Sequence, residues 1–320
     1  MIGKIAIIGG GNIGGVCALE IASRRLARKV ALVDVKEPDF AKGKCLDIAE
    51  GNAVIGSDVT MEGSKSYEVI EGADFVINTA GVPRAVRPDG TFPSREELLA
   101  VNLKITDAVA AGIKQYCPDA FVISVANPLD AIVYRLYQQL KAQIPATKIM
   151  GMAGVLDSAR YKYFVADAAN VSVENVEAVV LGGHGDTMVP VRSACRIYGL
   201  PVTRFVNETD LEAIETRTRK AGGEVVGLLG SGSAFVSPAW SALDMLECIA
   251  YDKRKITPVC ALLDGQYGVD GLFVGVPVIL GKNGIEEIIE IDLTDDEKAA
   301  LAQSVDAVRN TCAEVDKMGG

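Results

Sequence analysis

The sequence is short of several things, and each shortage removes a class of function. It holds one histidine, which leaves a single side chain that ordinarily titrates near neutrality. Basic residues are the minority, 32 Lys and Arg against 42 Asp and Glu for a net charge of −10. That balance argues against a nucleic-acid partner, because phosphate contacts need basic surface. No apolar run is long enough to span a bilayer, and Met1 leads almost at once into the strand-like Lys4-Ile5-Ala6-Ile7-Ile8, leaving no room for a signal peptide. The expectation is a cytoplasmic protein without a membrane partner. The seven cysteines (17, 45, 117, 195, 248, 260 and 312) lie far apart with no CxxC pair. They read as reduced core thiols, so neither a disulfide frame nor a metal site is expected. Pro/Ser-rich linkers, internal repeats and low-complexity segments are also missing.

What is present is a chain of 320 residues with 49% apolar and 23% charged residues, the balance of a compact fold with room for two tightly packed domains. From residue 1 to about 150, strand-like runs (Ile5 to Ile8, Val30 to Val33, Phe75 to Ile77, Phe121 to Val125, Lys148 to Met150) alternate with amphipathic stretches such as Ile13 to Ala27 and Leu98 to Tyr116. Such alternation forces parallel pairing through crossover helices and predicts an α/β, doubly wound Rossmann sheet over 1–150. The remainder, 151–320, reads as an α+β domain. It has strands expected at Val176 to Leu181 and Phe273 to Ile279, and helices at Asp210 to Leu229 and Pro238 to Tyr251. Thr294 with Glu297 forms a capping box that opens a last helix, whose apolar face is Leu301, Val305, Val308, Cys312 and Val315.

The loop Gly9-Gly10-Gly11-Asn12-Ile13-Gly14 follows the first strand and opens the first helix, giving G-x-G-x-x-G at Gly9, Gly11 and Gly14. The glycines allow a tight turn, close approach to a diphosphate and close helix–strand packing, while the helix N-terminus faces the negative charge. The motif alone is weak. Asp34, at the end of the second strand-like run, strengthens it, because a carboxylate there accepts the ribose hydroxyls and repels a 2′-phosphate. The cofactor expected is NAD. Read blandly, Asp34 is a helix cap or a solvated strand end.

His184 lies in Leu181-Gly182-Gly183-His184-Gly185-Asp186, at the end of a strand-like run and between glycines. A lone histidine is more often structural than catalytic. Hydride oxidation of an alcohol, however, needs a base for the hydroxyl proton, and the reverse reduction needs the matching acid. Asp157 is the candidate to orient it. Arg160, three residues further on a helical stretch, is either half of a surface ion pair or a clamp for a substrate carboxylate. An acidic protein that binds acids must gather its positive charge locally, so such arginines matter most.

Taken together, Gly9 to Gly14 with Asp34, Ser124-Val125-Ala126-Asn127-Pro128, Gly154-Val155-Leu156-Asp157-Ser158-Ala159-Arg160, Gly182-Gly183-His184-Gly185-Asp186 and Val274-Gly275-Val276-Pro277-Val278 resemble the lactate/malate dehydrogenase family, in its order and over nearly the whole chain. The likeness is greatest to malate dehydrogenases of lactate-dehydrogenase type. It implies His184 as proton carrier, Asp157 as its partner, Arg160 as the clamp on the first carboxylate and Asn127 as a substrate and cofactor contact. Val125 and Asn102 would lie against the cofactor alongside Gly9, Gly11, Asn12, Ile13, Gly14 and Asp34. Arg95, in the first turn of a helix opened by the capping box Ser94/Glu97, would polarise the substrate carbonyl. A homodimer or homotetramer acting on a small dicarboxylate or 2-keto acid is implied as well.

One segment departs from the family pattern. Malate enzymes carry a substrate-reading Arg six positions before the carbonyl-polarising one; here Arg84 stands eleven before Arg95. The added length resembles the inserted loop of apicomplexan lactate dehydrogenases, with Pro93 and Phe92 near the place of their Trp. Either Arg84 (or Arg87) folds over the pocket and pairs with the second carboxylate of oxaloacetate, or the arginines are solvated and Phe92 closes an apolar pocket over pyruvate. The first reading is favoured. An NAD-binding protein without turnover and an NAD-dependent glycosidase are the readings from other classes. The second would need a metal held by Cys and His, which the Gly-His-Gly setting does not offer.

Overall fold

A computed structural model describes residues 2–83, 94–230 and 232–319. Six strands, β1 (Ile2–Ile8), β2 (Ala27–Val33), β3 (Thr60–Ser64), β4 (Phe75–Asn78), β5 (Phe121–Ser124) and β6 (Ile149–Gly151), pair in parallel in the spatial order 3-2-1-4-5-6. The crossovers include helices α1 (Asn12–Ser23), α2 (Phe40–Ile55), α3 (Arg95–Tyr116) and α4 (Leu129–Leu140). Ile5 to Ile8 are all buried because helices cover both faces: Ile5 and Ile7 join one apolar cluster, Ala6 and Ile8 the other. The strand order reverses between β1 and β4, which opens a crevice at their carboxyl ends, the usual ligand position in such sheets.

The sheet does not end at β6. The strand Lys255–Asp264 adds antiparallel to it through Cys260 and Gly151, followed by Asp270–Gly281 and Gly284–Ile288, making nine strands among the described residues. Phe273 to Ile279 is thus the middle of a longer strand. Val176 to Leu181, expected as one strand, is two: Val176–Glu177 pairs with Arg196–Ile197, and Val180–Leu181 with Val189–Pro190. The Ser158 hydroxyl takes the N–H of Val180 at 2.9 Å, so the run cannot stay in one ladder.

Helices α5 (Gly154–Ala169), α6 (Glu208–Leu229), α7 (Val236–Ala250) and α8 (Asp295–Gly319) complete the fold. The capping box opens α8 as expected, with Thr294 N–H on Glu297 Oε2 at 2.9 Å and Glu297 N–H on Thr294 Oγ1 at 3.3 Å. Glu297 also accepts the N–H and the hydroxyl of Ser193, at 3.0 and 2.6 Å, which ties the helix start to the body. Leu301, Val305, Val308, Cys312 and Val315 are all buried, as their spacing predicts. Among the described residues no helix is long and apolar enough to cross a membrane.

The approach of α1 to β1 is the tightest fit in the parallel half. A Cβ on Gly14 would lie 1.9 Å from the Gly9 carbonyl oxygen and 3.1 Å from Ile7 Cγ2. Gly14→Ala must therefore push α1 off the turn, at a cost of roughly 1–3 kcal/mol by analogy with overpacked cores. We expect a lower melting temperature together with weaker NADH binding by fluorescence titration. Wild-type values for both would show that the contact has slack.

Candidate active site

The turn after β1 is held by its neighbours. Gly9 adopts φ +100°, donates its N–H to Val33 O at 2.8 Å, and has no room for a Cβ, which would lie 2.7 Å from Ala80 N. Asp34 follows β2 directly; its Oδ2 accepts the Gly10 N–H at 2.6 Å and its Oδ1 the Lys36 N–H at 2.9 Å. The Lys44 ammonium donates to Gly11 O at 3.0 Å. Among the described residues the outer side of the turn is open: nothing lies within 4 Å of a Cβ built on Gly11, and no side chain caps α1. The first helical N–H groups, those of Asn12 and Ile13, thus face a space rimmed by a carboxylate. An uncapped helix start beside an acidic residue suits a diphosphate and the ribose attached to it.

At the ends of β4 and β5 the chain is braced from within. Asn78 is buried and donates to Ser124 Oγ at 3.2 Å, while the buried Val125 donates its N–H to Asn78 O at 2.8 Å. Asn102, on α3, is 2% exposed. Its amide nitrogen donates to Val82 O at 3.2 Å and Asn127 O at 2.9 Å, and its oxygen accepts the Val82 N–H at 2.8 Å. Expected against the cofactor, Asn102 spends its amide on the chain, holding the root of the 80s segment to the exposed Asn127.

The histidine loop lies against the start of α4, where Asp130 reaches it. His184 Nδ1 lies 2.7 Å from Asp157 Oδ2, and Arg160 donates to Asp157 Oδ1 at 3.2 Å; the three side chains are 17%, 3% and 14% exposed. The bland reading of Asp157 and Arg160 as a surface ion pair is therefore excluded. Both residues sit on α5, where spacing i, i+3 puts them on one face. An ionised carboxylate only accepts, so Nδ1 carries the hydrogen and the neutral ring keeps its lone pair on Nε2, which has no partner among the described residues. Burial favours the neutral imidazole, but the Asp157 charge and hydrogen bond, aided by Asp130, outweigh it and hold the ring's pKa above its ordinary 6.5. Arg160 works in the opposite sense.

The glycines flanking His184 matter for packing as well as for backbone freedom. Gly182 has φ +91°, and a Cβ there would lie 2.4 Å from Ser304 Oγ of α8; one on Gly183 would lie 2.6 Å from Val308 Cγ2. The loop backbone is anchored by two side chains, the Gly183 N–H on Ser304 Oγ and the His184 N–H on Asp130 Oδ2, both at 2.9 Å.

Sequence reasoning missed Asp130, Ser304 and Lys44. Asp130 stands two residues past the Asn127-Pro128 pair and was legible only as an acid in the first turn of α4. Arg95 is exposed at the first position of α3, and its capping box is present, with Ser94 N–H on Glu97 Oε2 at 2.8 Å and Glu97 N–H on Ser94 Oγ at 3.0 Å. No bond among the described residues joins Arg95 to the His184 group. Arg84, Arg87 and Phe92 lie outside the described residues.

Residues 3–151 match the model of the lactate/malate dehydrogenase NAD binding domain, and residues 154–318 that of the lactate/malate dehydrogenase alpha/beta C-terminal domain. Malate dehydrogenase 1 of Anaeromyxobacter dehalogenans (strain 2CP-C) is 52% identical over 313 residues, 97% of each chain. The crystal structure of Cryptosporidium parvum malate dehydrogenase superposes with a TM-score of 0.92 at 41% identity, covering 99% of this chain and 100% of that one. The lactate dehydrogenase of the same organism, complexed with lactic acid and nicotinamide adenine dinucleotide, also reaches 0.92 at 39% identity, covering 99% and 98%.

The raised pKa has a thermodynamic counterpart. A group whose folded-state pKa exceeds its unfolded one adds stability that is complete below the unfolded value, about 6.5, and is lost as pH rises through the folded one. Without ligands, the unfolding free energy of wild type minus that of His184→Asn should be largest in mildly acidic buffer and shrink on the alkaline side. Denaturant titrations across pH measure it, and a difference that grows with pH would contradict the sign.

Proposed function

The chain belongs to the lactate/malate dehydrogenase family over nearly its whole length, and we infer from this and from the site's geometry that it is an NAD-dependent malate dehydrogenase, interconverting malate and oxaloacetate. The observation that carries the chemistry is the 2.7 Å contact between His184 Nδ1 and Asp157, which leaves Nε2 to carry the proton. Identity of 52% to a malate dehydrogenase supports the substrate. The division into a cofactor domain, 1–150, and a catalytic domain, 151–320, is part of the same reading.

The bound dinucleotide supplies hydride acceptance in one direction and donation in the other. The protein's own part is to hold, orient and move a proton. Gly9, Gly11 and Gly14 open the turn, Asn12 and Ile13 present N–H groups to the diphosphate, and Asp34 takes the ribose hydroxyls while repelling a 2′-phosphate. Val125 lines the crevice floor, and Asn102 keeps Asn127 at its mouth. Arg160 receives the substrate's first carboxylate through two parallel hydrogen bonds. His184 takes the hydroxyl proton at Nε2 during oxidation and returns it during reduction, with Asp157 stabilising the imidazolium. Arg95 swings in from the head of α3 to meet charge developing on the carbonyl oxygen. Arg84 reads the second carboxylate. Seven buried cysteines without a disulfide support a reducing, cytoplasmic setting.

We also propose that the working form is a homo-oligomer. A groove between α1 and α2 is lined by Val16, Leu19, Val54, Ile55 and Phe235. Leu19 is 51% exposed, Val54 87% and the single tryptophan, Trp240 on α7, 57%. Apolar exposure on this scale marks a contact surface, and a second copy is the partner that fits the family. Light scattering should give at least twice the monomer mass. Leu19→Glu combined with Val54→Glu should lower it and alter the Trp240 emission; a monomeric wild type would end this reading.

Substrate choice is tested by kcat/KM for oxaloacetate and pyruvate with NADH. Pyruvate would leave the second-carboxylate arginine without its partner, at a cost of about 3 kcal/mol or more, roughly a hundredfold. We expect oxaloacetate to win by at least that factor and Arg84→Gln to remove most of the margin. A preference for pyruvate would make the protein a lactate dehydrogenase, and NADH binding without turnover on either would point to another 2-keto acid or to a non-catalytic binder.

A further inference from the structure

Two carboxylates act on the histidine, and they reach it by different routes. Asp130 approaches from α4, whereas Asp157 belongs to α5. Its Oδ2 accepts the His184 backbone N–H at 2.9 Å, and its Oδ1 accepts the Cys260 thiol at 3.2 Å. A Cβ on Gly183 would come within 3.1 Å of the same Oδ2, so the glycine is what allows the carboxylate to sit under the loop. Both oxygens accept, the arrangement of an ionised carboxylate. Burial holds the Cys260 thiol well above its ordinary pKa, which keeps it a donor.

With His184 as the proton carrier proposed above, we infer that Asp130 is a positioning residue that fixes the histidine loop through its backbone and sets, by its charge, the pH at which the imidazole exchanges its proton. The two carboxylates divide the work. Asp157 touches the ring and selects the tautomer; Asp130 holds the main chain and adds a second negative charge without occupying a ring nitrogen. Nε2 therefore stays available while the imidazolium gains support from both carboxylates. Ser304, on α8, anchors the adjacent Gly183 N–H without charge.

Among the described residues the groups facing this centre are few. His184 feels Asp157 and Arg160 from α5 and Asp130 from α4. Asp130 in turn faces His184, Asp157, Cys260 from the strand Lys255–Asp264, and Cys312 from α8. Burial pushes the Asp130 carboxyl up, and the His184 charge, the loop N–H and the Cys260 thiol pull it back. Asp130→Asn keeps an oxygen that can accept the loop N–H and removes only the charge, so it separates the two roles.

The single histidine makes the measurement direct: every imidazole signal in an NMR titration of the untagged, ligand-free protein belongs to His184. Asp130→Asn should lower its pKa by roughly half a unit to one unit, as loss of a nearby opposite charge does. The alkaline limb of oxaloacetate reduction, which needs the imidazolium, should move to lower pH by the same amount, with the KM for NADH unchanged. Ser304→Ala should lower kcat at every pH and leave the titration in place. Should Asp130→Asn fail to fold, Asp130→Ser removes the same charge with a smaller side chain and should move the titration the same way. An imidazole that titrates in the Asp130→Asn protein at the wild-type pH or above would overturn the inference, as would a Ser304→Ala shift of equal size. Loss of the proton-carrier reading is seen separately, as turnover retained by His184→Asn.

Discussion

The site hangs on one carboxylate shared between two cations of different kinds. Asp157 gives one oxygen to an imidazole that gains and loses charge and the other to a guanidinium that never does. At 3% exposure it has little water to compensate it, so the partners must. This sharing fixes the ring's tautomer, keeps Arg160 from turning away, and prevents either contact from being improved without weakening the other. Placing both acid and arginine on one face of α5 means that the helix, rather than a loop, sets their separation. The histidine comes from a distant stretch of chain, and for that reason its loop needs anchors of its own.

Local patterns made much of this legible and long-range pairings did not. The alternation of apolar runs up to residue 150 predicted five of the six parallel strands, since a buried strand between two crossover helices leaves a local imprint; the edge strand β3, Thr60–Ser64, is at most half-buried and left none. The apolar face of α8 was equally plain in the spacing of Leu301, Val305, Val308, Cys312 and Val315. The extension of the sheet by three antiparallel strands was not, because the Cys260–Gly151 pairing joins segments far apart in sequence and neither residue advertises it. Val176 to Leu181 looked continuous because Ser158, which interrupts it, belongs to another element.

The site divides along the same line. His184, Asp157, Arg160 and the glycine turn stood out because their chemistry needs those residue types in those settings. Asp130 and Ser304 did not, because each acts on a backbone N–H, and a backbone N–H has no sequence signature. Asn102, expected at the cofactor, has its amide satisfied within the chain, a pairing with no imprint in the sequence. The scaffold itself does not choose between substrates: it matches a malate and a lactate dehydrogenase of one organism equally well. Discrimination must rest on a handful of side chains over an architecture that serves both acids.

The contact of α8 with the glycines beside His184 has a consequence for how the protein is made. The loop is synthesised well before Ser304 and Val308, yet its backbone is held by that later helix. During translation the sheet can assemble and the Asp157–Arg160 pair can form while the histidine loop still lacks one of its anchors. The histidine loop is therefore fully anchored only when α8 docks, so a nascent chain can be largely folded while the proposed proton carrier is still loose.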